Sequence, residues 1–373
     1  MTESTQEAAI RLVHVRKVFE GAARPAVGDL SLDVPAGALV ALVGPSGCGK
    51  TTTLKMINRL IEPTSGEIYV DGVEVRSLPA SHLRRRIGYV IQQIGLFPHR
   101  TVEANIATVP RLLRWDRNRI KERVAQLVDL VGLDVEILPR YPAELSGGQQ
   151  QRVGVARALA ADPPVLLMDE PYSAVDPIVR AHLQDELIAL QRRVRKTIVL
   201  VTHDIDEAIK LADRIALMNV GGVLEQYATP NDLLRQPVNE FVADFLGRER
   251  GLKRLSLITV DGVELVEGPV VGCDATPAEA ESVMEKHGVD WVGVRDGDRL
   301  LGWTDRASLA NVARVGDAPL RPFSTPVHPS ATLRETLDAL IASQTNVAVV
   351  VDSDDRYLGM LTIEQISEGV RRS

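Results

Sequence analysis

Between about residue 8 and residue 247 the chain alternates short, wholly apolar runs with longer stretches in which apolar residues return every three or four positions. Leu39-Val40-Ala41-Leu42-Val43, Val165-Leu166-Leu167-Met168 and Thr197-Ile198-Val199-Leu200-Val201 predict parallel strands covered on both faces, because they show no polar alternation. Ile120, Val124, Leu127, Val128 and Val131 recur at helical spacing, so the region around 100–140 predicts a helical insertion. Strands alternating with helical segments predict an α/β sheet with crossover helices.

Near Gly247-Arg248-Glu249-Arg250-Gly251 this pattern stops, and the remainder repeats itself after about 56 residues. Ala275-Thr276 matches Ala331-Thr332, and Glu279 matches Glu335. Further on, Trp291-Val292-Gly293-Val294 matches Ala348-Val349-Val350-Val351, and Leu301-Gly302 matches Leu358-Gly359 after a one-residue slip. Each copy predicts helix, strand, turn, strand.

Composition narrows the class. A chain of 373 residues, 45% apolar and 25% charged, has room for two or three globular domains. It contains no apolar run of roughly 18 residues, and residues 1–9 are polar and acidic, so neither a membrane span nor a signal peptide is expected. A net charge of −7 provides no general attraction to nucleic acid or anionic lipid, and Arg84-Arg85-Arg86 predicts a solvated face. The two cysteines, Cys48 and Cys273, lie far apart in sequence, which fits a reducing compartment.

Three segments carry chemistry. Gly44-Pro45-Ser46-Gly47-Cys48-Gly49-Lys50-Thr51 fits G-x-x-x-x-G-K-[ST] between a predicted strand and a segment from Thr52 to Leu60 that can be helical. Such a loop turns successive N–H groups and a helix N-terminus toward phosphate, with Lys50 on the β/γ-phosphates and the Thr51 hydroxyl on Mg²⁺. Asp169-Glu170 ends a buried strand at the carboxyl edge of the sheet, where Asp169 can organise Mg²⁺ and Glu170 can polarise an attacking water. Ser146-Gly147-Gly148, opening the helical pattern that follows Leu145, forms a second anion-binding end. One nucleotide does not need two such ends, which leaves the second free for a neighbour.

This last segment, Leu145-Ser146-Gly147-Gly148-Gln149-Gln150-Gln151-Arg152, resembles the signature motif of ABC ATPases. The resemblance implies an α/β fold: a RecA-like P-loop ATPase core with β and helical subdomains over residues 8–247. It also implies ATP and Mg²⁺ as cofactors, and a second ATPase copy whose signature segment closes over the γ-phosphate. It places Gln92, in Tyr89-Val90-Ile91-Gln92-Gln93, at the Q-loop glutamine that touches Mg²⁺ and water, with Gln93 the adjacent alternative. Ser173-Ala174-Val175-Asp176 resembles the D-loop, with Val175 where leucine is usual, and His203 the switch histidine that contacts the γ-phosphate. Phe19 falls where the family stacks an aromatic ring on adenine, the alternative being a core phenylalanine. Glu170, His203 and Gln92 are thus the expected catalytic set; Gly44 to Thr52, Ser146, Gly147, Gly148 and Asp176 the expected nucleotide contacts; and Thr51, Gln92 and Asp169 the metal ligands.

The runs from Lys50 to Gly66, from Ile87 to His99 and from Thr202 to Arg214 resemble the ATPases of osmoprotectant importers for glycine betaine, carnitine, choline or proline betaine. That implies membrane permease partners, an indirect extracytoplasmic solute-binding partner, a peripheral position on the cytoplasmic face of the cell membrane, and no nucleic acid. An importer of methionine or a polyamine is the nearest alternative. A soluble ABC ATPase fits less well, since the chain has one cassette and no sustained heptads, and a pure nucleotide sensor is the third reading. The repeated tail resembles a tandem pair of CBS modules, here expected as an α+β pair at 252–313 and 314–373, which implies a regulatory ligand or a dimer brace. The family's G-h-h-T-x-x-D ending reads Gly359-Met360-Leu361-Thr362-Ile363-Glu364-Gln365 in the second copy. The first copy has Gly302-Trp303-Thr304 with Ala307 at the acid position. Neither copy keeps the ribose-gripping aspartate, so ordinary mononucleotide binding is not expected.

Overall fold

A computed structural model describes residues 8–92, 95–173, 175–323 and 325–372; Gln93 and Ala174, named above, lie outside the described residues. The chain divides into two compact units, residues 1–247 and 248–373.

In the first unit a six-stranded sheet runs in the spatial order Val223–Ala228, Arg214–Asn219, Leu39–Val43, Thr197–Val201, Val165–Asp169, Ile87–Val90. Only the pair at the Val223–Ala228 edge is antiparallel. All residues of the three strands expected from the apolar runs are buried, as strands sandwiched between two layers must be. A four-stranded antiparallel sheet, ordered Val27–Pro35, Ala8–Lys17, Ser65–Val70, Val73–Glu74, packs beside it. Its strands alternate, and Ile10, Leu12, Leu30, Leu32 and Val34 turn into one core with Val40, Leu42, Leu54 and Leu167. The expected insertion contains the helices Val102–Ile106, Thr108–Leu112 and Arg117–Leu130. The last is capped by Asp116 and buries Ile120, Val124, Leu127 and Val128.

The repeat in the second unit has a physical basis. Thr276 caps the helix Pro277–His287 and Thr332 caps Leu333–Ala342. Glu279 and Glu335 each accept from the cap's own N–H at 2.8 Å, so the matched residues are one capping box written twice. Gly302 pairs with Val294 in one copy, and Gly359 with Val350 in the other.

The expected cut between 313 and 314 does not separate the two hydrophobic cores. Leu255, Ile258 and Val260 pack with Leu333, Val350 and Leu361 of the second copy. Val315 and Ala318 pack with Ala280, Met284 and Val292 of the first. The entry arms are exchanged: Val266 bridges to Met360 before Val270–Gly272 joins Trp291–Asp296, and Arg321 bridges to Trp303 before Val327 joins Val350. Gly302 is where this crossing demands glycine, since a Cβ there would lie 2.6 Å from the Arg321 carbonyl oxygen. Pairing across copies buries apolar arms that neither copy could cover alone.

Candidate functional site

Strand order assembles the site. Ile87–Val90, Val165–Asp169, Thr197–Val201 and Leu39–Val43 are consecutive parallel neighbours, so the segments that follow them emerge side by side at one edge of the sheet. Those segments carry Gln92, Glu170, His203 and the loop beginning at Gly44.

The loop after Leu39–Val43 turns into the helix Lys50–Ile57. Gly44 has φ 151°, and a Cβ there would sit 2.1 Å from the Met218 carbonyl oxygen, so only glycine lets the backbone pass. The buried Lys50 ammonium donates to the carbonyls of Gly44 at 2.7 Å and Pro45 at 3.0 Å and lies 3.6 Å from Cys48 Sγ. Ser46 and Gly47 are exposed at the tip, whereas Cys48 is fully buried beneath it and Thr52 is half-buried one residue past Thr51. The ammonium therefore spans the concave side of a loop whose amides lie at a helix N-terminus, a cradle suited to a polyphosphate.

Thr51 donates its hydroxyl to Asp169 Oδ1 at 2.9 Å, and Tyr89 OH approaches Asp169 Oδ2 at 3.5 Å. Burial pushes the Asp169 carboxyl up from its ordinary range, against the opposing pull of the Thr51 hydroxyl and Lys55. A hydroxyl and a buried carboxylate beside a phosphate cradle are hard oxygen donors of the kind Mg²⁺ takes together with substrate phosphates. The same burial pushes the Tyr89 phenol up, so it stays a neutral donor.

Glu170 is the first residue past its strand and holds φ 44°, an uncommon backbone for a side chain of this size. Its N–H donates to the Val201 carbonyl at 2.9 Å and its own carbonyl accepts from the Ser173 hydroxyl at 3.0 Å, which pins the turn. Two groups converge on its Oε2: the Gln92 amide N–H at 3.1 Å and His203 Nδ1 at 3.3 Å. Gln92 thus joins Glu170 here and not the Thr51–Asp169 pair. With both contacts on Oε2, Oε1 is the acceptor left for a water.

Phe19 lies on the loop between the first two strands, 42% exposed, with the Lys17 ammonium 5.0 Å from its ring centroid; the core alternative does not hold. Ser146 accepts from the Gln149 N–H at 3.3 Å while Gln149 Oε1 accepts from the Ser146 N–H at 3.0 Å. This capping box opens the helix Gly147–Leu159, with Gly147 and Gly148 in its first turn. Asp176 caps the helix Pro177–Val194 by accepting from the Ile178 N–H at 2.9 Å.

Sequence reading assigned no role to Tyr89 or Glu207. Tyr89 stands on the strand three residues before Gln92, a position whose meaning appears only once that strand pairs with Val165–Asp169. Glu207, in the helix after His203, is 6% exposed, with Oε1 unpartnered. Burial, followed by the charge of Asp204, pushes its carboxyl from 4.5 to about 7. The folded protein therefore holds a proton that the unfolded chain has lost, and stability falls as pH rises from 4.5 through about 7. Glu207→Gln is expected to leave melting unchanged near pH 4.5 and to stabilise the protein above neutrality by about 1–3 kcal/mol. Thermal melts across pH check this; a pH-independent difference would show that the carboxyl is ionised in the fold.

Residues 27–173 match the ABC transporter family, and residues 315–371 match the CBS domain family. The osmoprotectant import ATP-binding protein OsmV of Salmonella typhimurium is 47% identical over 96% of this chain and 95% of its own. The chain belongs to the ABC transporter ATP-binding protein family. Another member, the glycine betaine/carnitine/choline transport ATP-binding protein OpuCA of Bacillus subtilis, is 46% identical over 95% of this chain and 94% of its own. Among solved structures, a dimeric post-hydrolysis state of the ATP-binding cassette MJ0796 bound to ADP and Pi matches with a TM-score of 0.53 and 33% identity, covering 59% of this chain and 98% of that one. The α/β, RecA-like ATPase fold expected from the motifs is thus the fold of an ABC transporter ATP-binding protein, and the CBS match falls on the second copy of the tail repeat.

Proposed function

We propose that this chain is the ATP-hydrolysing subunit of an importer for quaternary-amine osmoprotectants, acting at the cytoplasmic face of the membrane as a pair of cassettes. The observation that carries the chemistry is the convergence of Gln92 and His203 on one oxygen of Glu170, beside the Thr51–Asp169 pair and the Lys50 loop. Lys50 and the loop amides hold the phosphates, and Phe19 offers its exposed ring to the adenine. Glu170 accepts a proton from the attacking water through Oε1, while Gln92 and His203 orient the carboxylate and sense the γ-phosphate. Thr51 and Asp169 would hold Mg²⁺, which would supply charge neutralisation at the β/γ-phosphates, and Gln92 would reach it only by leaving Glu170. Ser146, Gly147, Gly148 and Asp176 of one copy serve the nucleotide on the other, so ATP favours the closed pair and its loss releases it.

Partner docking has a candidate surface. Ile91 and Phe97 are exposed apolar side chains that line a groove with Arg84, Tyr89 and Thr108. The strand beneath leads directly to Gln92, so a permease segment seated there would act on the residue that orients Glu170. Among the described residues no helix is long and apolar enough to cross a membrane.

The solute class is supported by the relatives, whose names specify osmoprotectant, glycine betaine, carnitine and choline transport. A solute-binding protein would deliver it to the permease. The tail is read as a regulator: it carries a solvent-open pocket of about 580 Å³ lined by Val266, Asp290, Trp291, Thr345, Met360 and Thr362. Gln365 Oε1 is engaged by the Thr362 hydroxyl and N–H, which weighs against a ribose contact there.

The test is reconstitution with permease and binding-protein partners, measuring glycine betaine, choline and carnitine uptake at low and high ionic strength. Uptake of at least one solute is expected, and truncation after Gly247 should preserve ATP turnover while removing its dependence on ionic strength. Failure with all three solutes despite intact ATP turnover would reject the solute class and leave the ATPase reading standing.

A further inference from the structure

Arg180 stands in the first turn of the helix Pro177–Val194, just past the cap Asp176, and its side chain leaves that turn in two directions. One terminal nitrogen donates to the Val175 carbonyl at 3.1 Å, inside the segment 173–176. The other lies 3.9 Å from Asp204 Oδ2. Asp204 caps the helix Ile205–Leu211, accepting from the Asp206 N–H at 2.8 Å and the Glu207 N–H at 3.3 Å, and it directly follows His203. Its own N–H donates to the Thr202 hydroxyl at 3.0 Å, so His203 sits in a turn closed by the residues on either side of it. A displacement of Asp204 therefore carries His203 with it, and His203 Nδ1 is the group 3.3 Å from Glu170 Oε2.

Helix electrostatics give a cation no reason to be at Arg180. The N-terminus of a helix carries partial positive charge and favours acidic side chains, yet the first turn of Pro177–Val194 has none of these and holds a guanidinium instead. What the site needs from arginine is its planar fork, which presents two terminal nitrogens at a fixed separation and can hold two partners at once. The Arg180 and Asp204 side chains are 29% and 36% exposed, so water screens their attraction only in part. Further along, Lys210 ties the same two helices, meeting Asp185 at 2.6 Å and the Ala181 carbonyl at 3.3 Å. Arg180 adds the connection at the end nearest Glu170. The segment 173–176 is joined to Glu170 directly as well, through the Ser173 hydroxyl on the Glu170 carbonyl at 3.0 Å.

We propose that Arg180 is a positioning residue for hydrolysis, linking the segment 173–176 to His203 through Asp204. Docking of that segment on the opposite cassette then sets the imidazole against Glu170, with no contact between Arg180 and the nucleotide. This rests on the reading that Asp176 serves the nucleotide on the other copy.

The experiment uses the full chain. Arg180→Met keeps the apolar stem and removes both contacts, and Asp204→Asn keeps a capping side chain while removing the charge. Each is expected to lower turnover at saturating ATP by about tenfold, while affinity for a fluorescent ATP analogue stays within about twofold of wild type because the Lys50 loop is untouched. Through one shared link the double variant loses no more than the larger single loss, whereas independent roles would multiply to about a hundredfold. Arg180→Lys offers one ammonium for two partners and should not restore turnover. Melting curves confirm that the variants fold. Independently of turnover, the His203 ring resonances, assigned by their loss in His203→Gln, should move in nucleotide-free Arg180→Met toward their positions in Glu170→Ala. They should stay in place in Arg192→Met, which removes an exposed cation from the last turn of the same helix. Unmoved resonances in Arg180→Met, a multiplied loss in the double variant, or wild-type turnover in Arg180→Lys would each overturn the proposal. A wild-type chain without ATP turnover would instead overturn the hydrolytic reading, and the resonances would still decide whether the link exists.

Discussion

Replacing Glu170 with glutamine is expected to lower ATP turnover by roughly 10²–10⁴-fold while nucleotide stays bound and the two cassettes stay closed on it. The two side chains are nearly isosteric, so the turn held by the Val201 carbonyl and the Ser173 hydroxyl has no reason to change. Gln92 and His203 can still approach the amide. What is lost is the ability of Oε1 to take a proton from water. Binding depends on other groups, chiefly Lys50, Thr51 and the loop amides, and therefore persists. Turnover assays together with size-exclusion chromatography in ATP check both halves, the closed pair eluting earlier than the single chain. Turnover at the wild-type rate would remove Glu170 from the chemistry.

Lys50→Ala acts on the other half of the site and should fail earlier, at binding. The ammonium is buried, already bonded to the Gly44 and Pro45 carbonyls, and sits on the concave side of the loop. Phosphate oxygens would exchange those two carbonyls for a charge-assisted contact in a partly dry setting. Its loss should weaken ATP by about 100-fold, or about 2.7 kcal/mol. Equilibrium binding of a fluorescent ATP analogue measures this, with a melting curve to show that the variant folds. ATP affinity equal to wild type would mean that Lys50 serves the loop alone. The two variants separate cleanly: one binds without turning over, the other does not bind.

Much of this was legible in the chain because the relevant information is local. The loop from Gly44 to Thr51, the capped glycines at Ser146 and the acid pair ending Val165–Asp169 each need only a few neighbouring residues to define their backbone. The same holds for the capping boxes at Thr276 and Thr332, which made the tail repeat visible at all. Gln92, His203 and Phe19 were named by resemblance, since a lone glutamine, histidine or phenylalanine carries no such local signal.

The amino-acid sequence by itself determined the ATPase class, the buried strands, the phosphate loop and the existence of a repeated tail, because period, capping and glycine placement act over a few residues. Tertiary structure alone decided three further things. It placed Val165–Asp169 between Ile87–Val90 and Thr197–Val201, which sets Gln92 and His203 against Glu170. It exchanged the tail's arms, so that Val260 belongs to the second core and Val315 to the first. It also buried Glu207 and Gln151 with unpartnered polar atoms. The physical reason is common to all three: strand order, arm exchange and burial arise from pairings between segments distant in the chain, and no local pattern encodes which distant segment will be the neighbour.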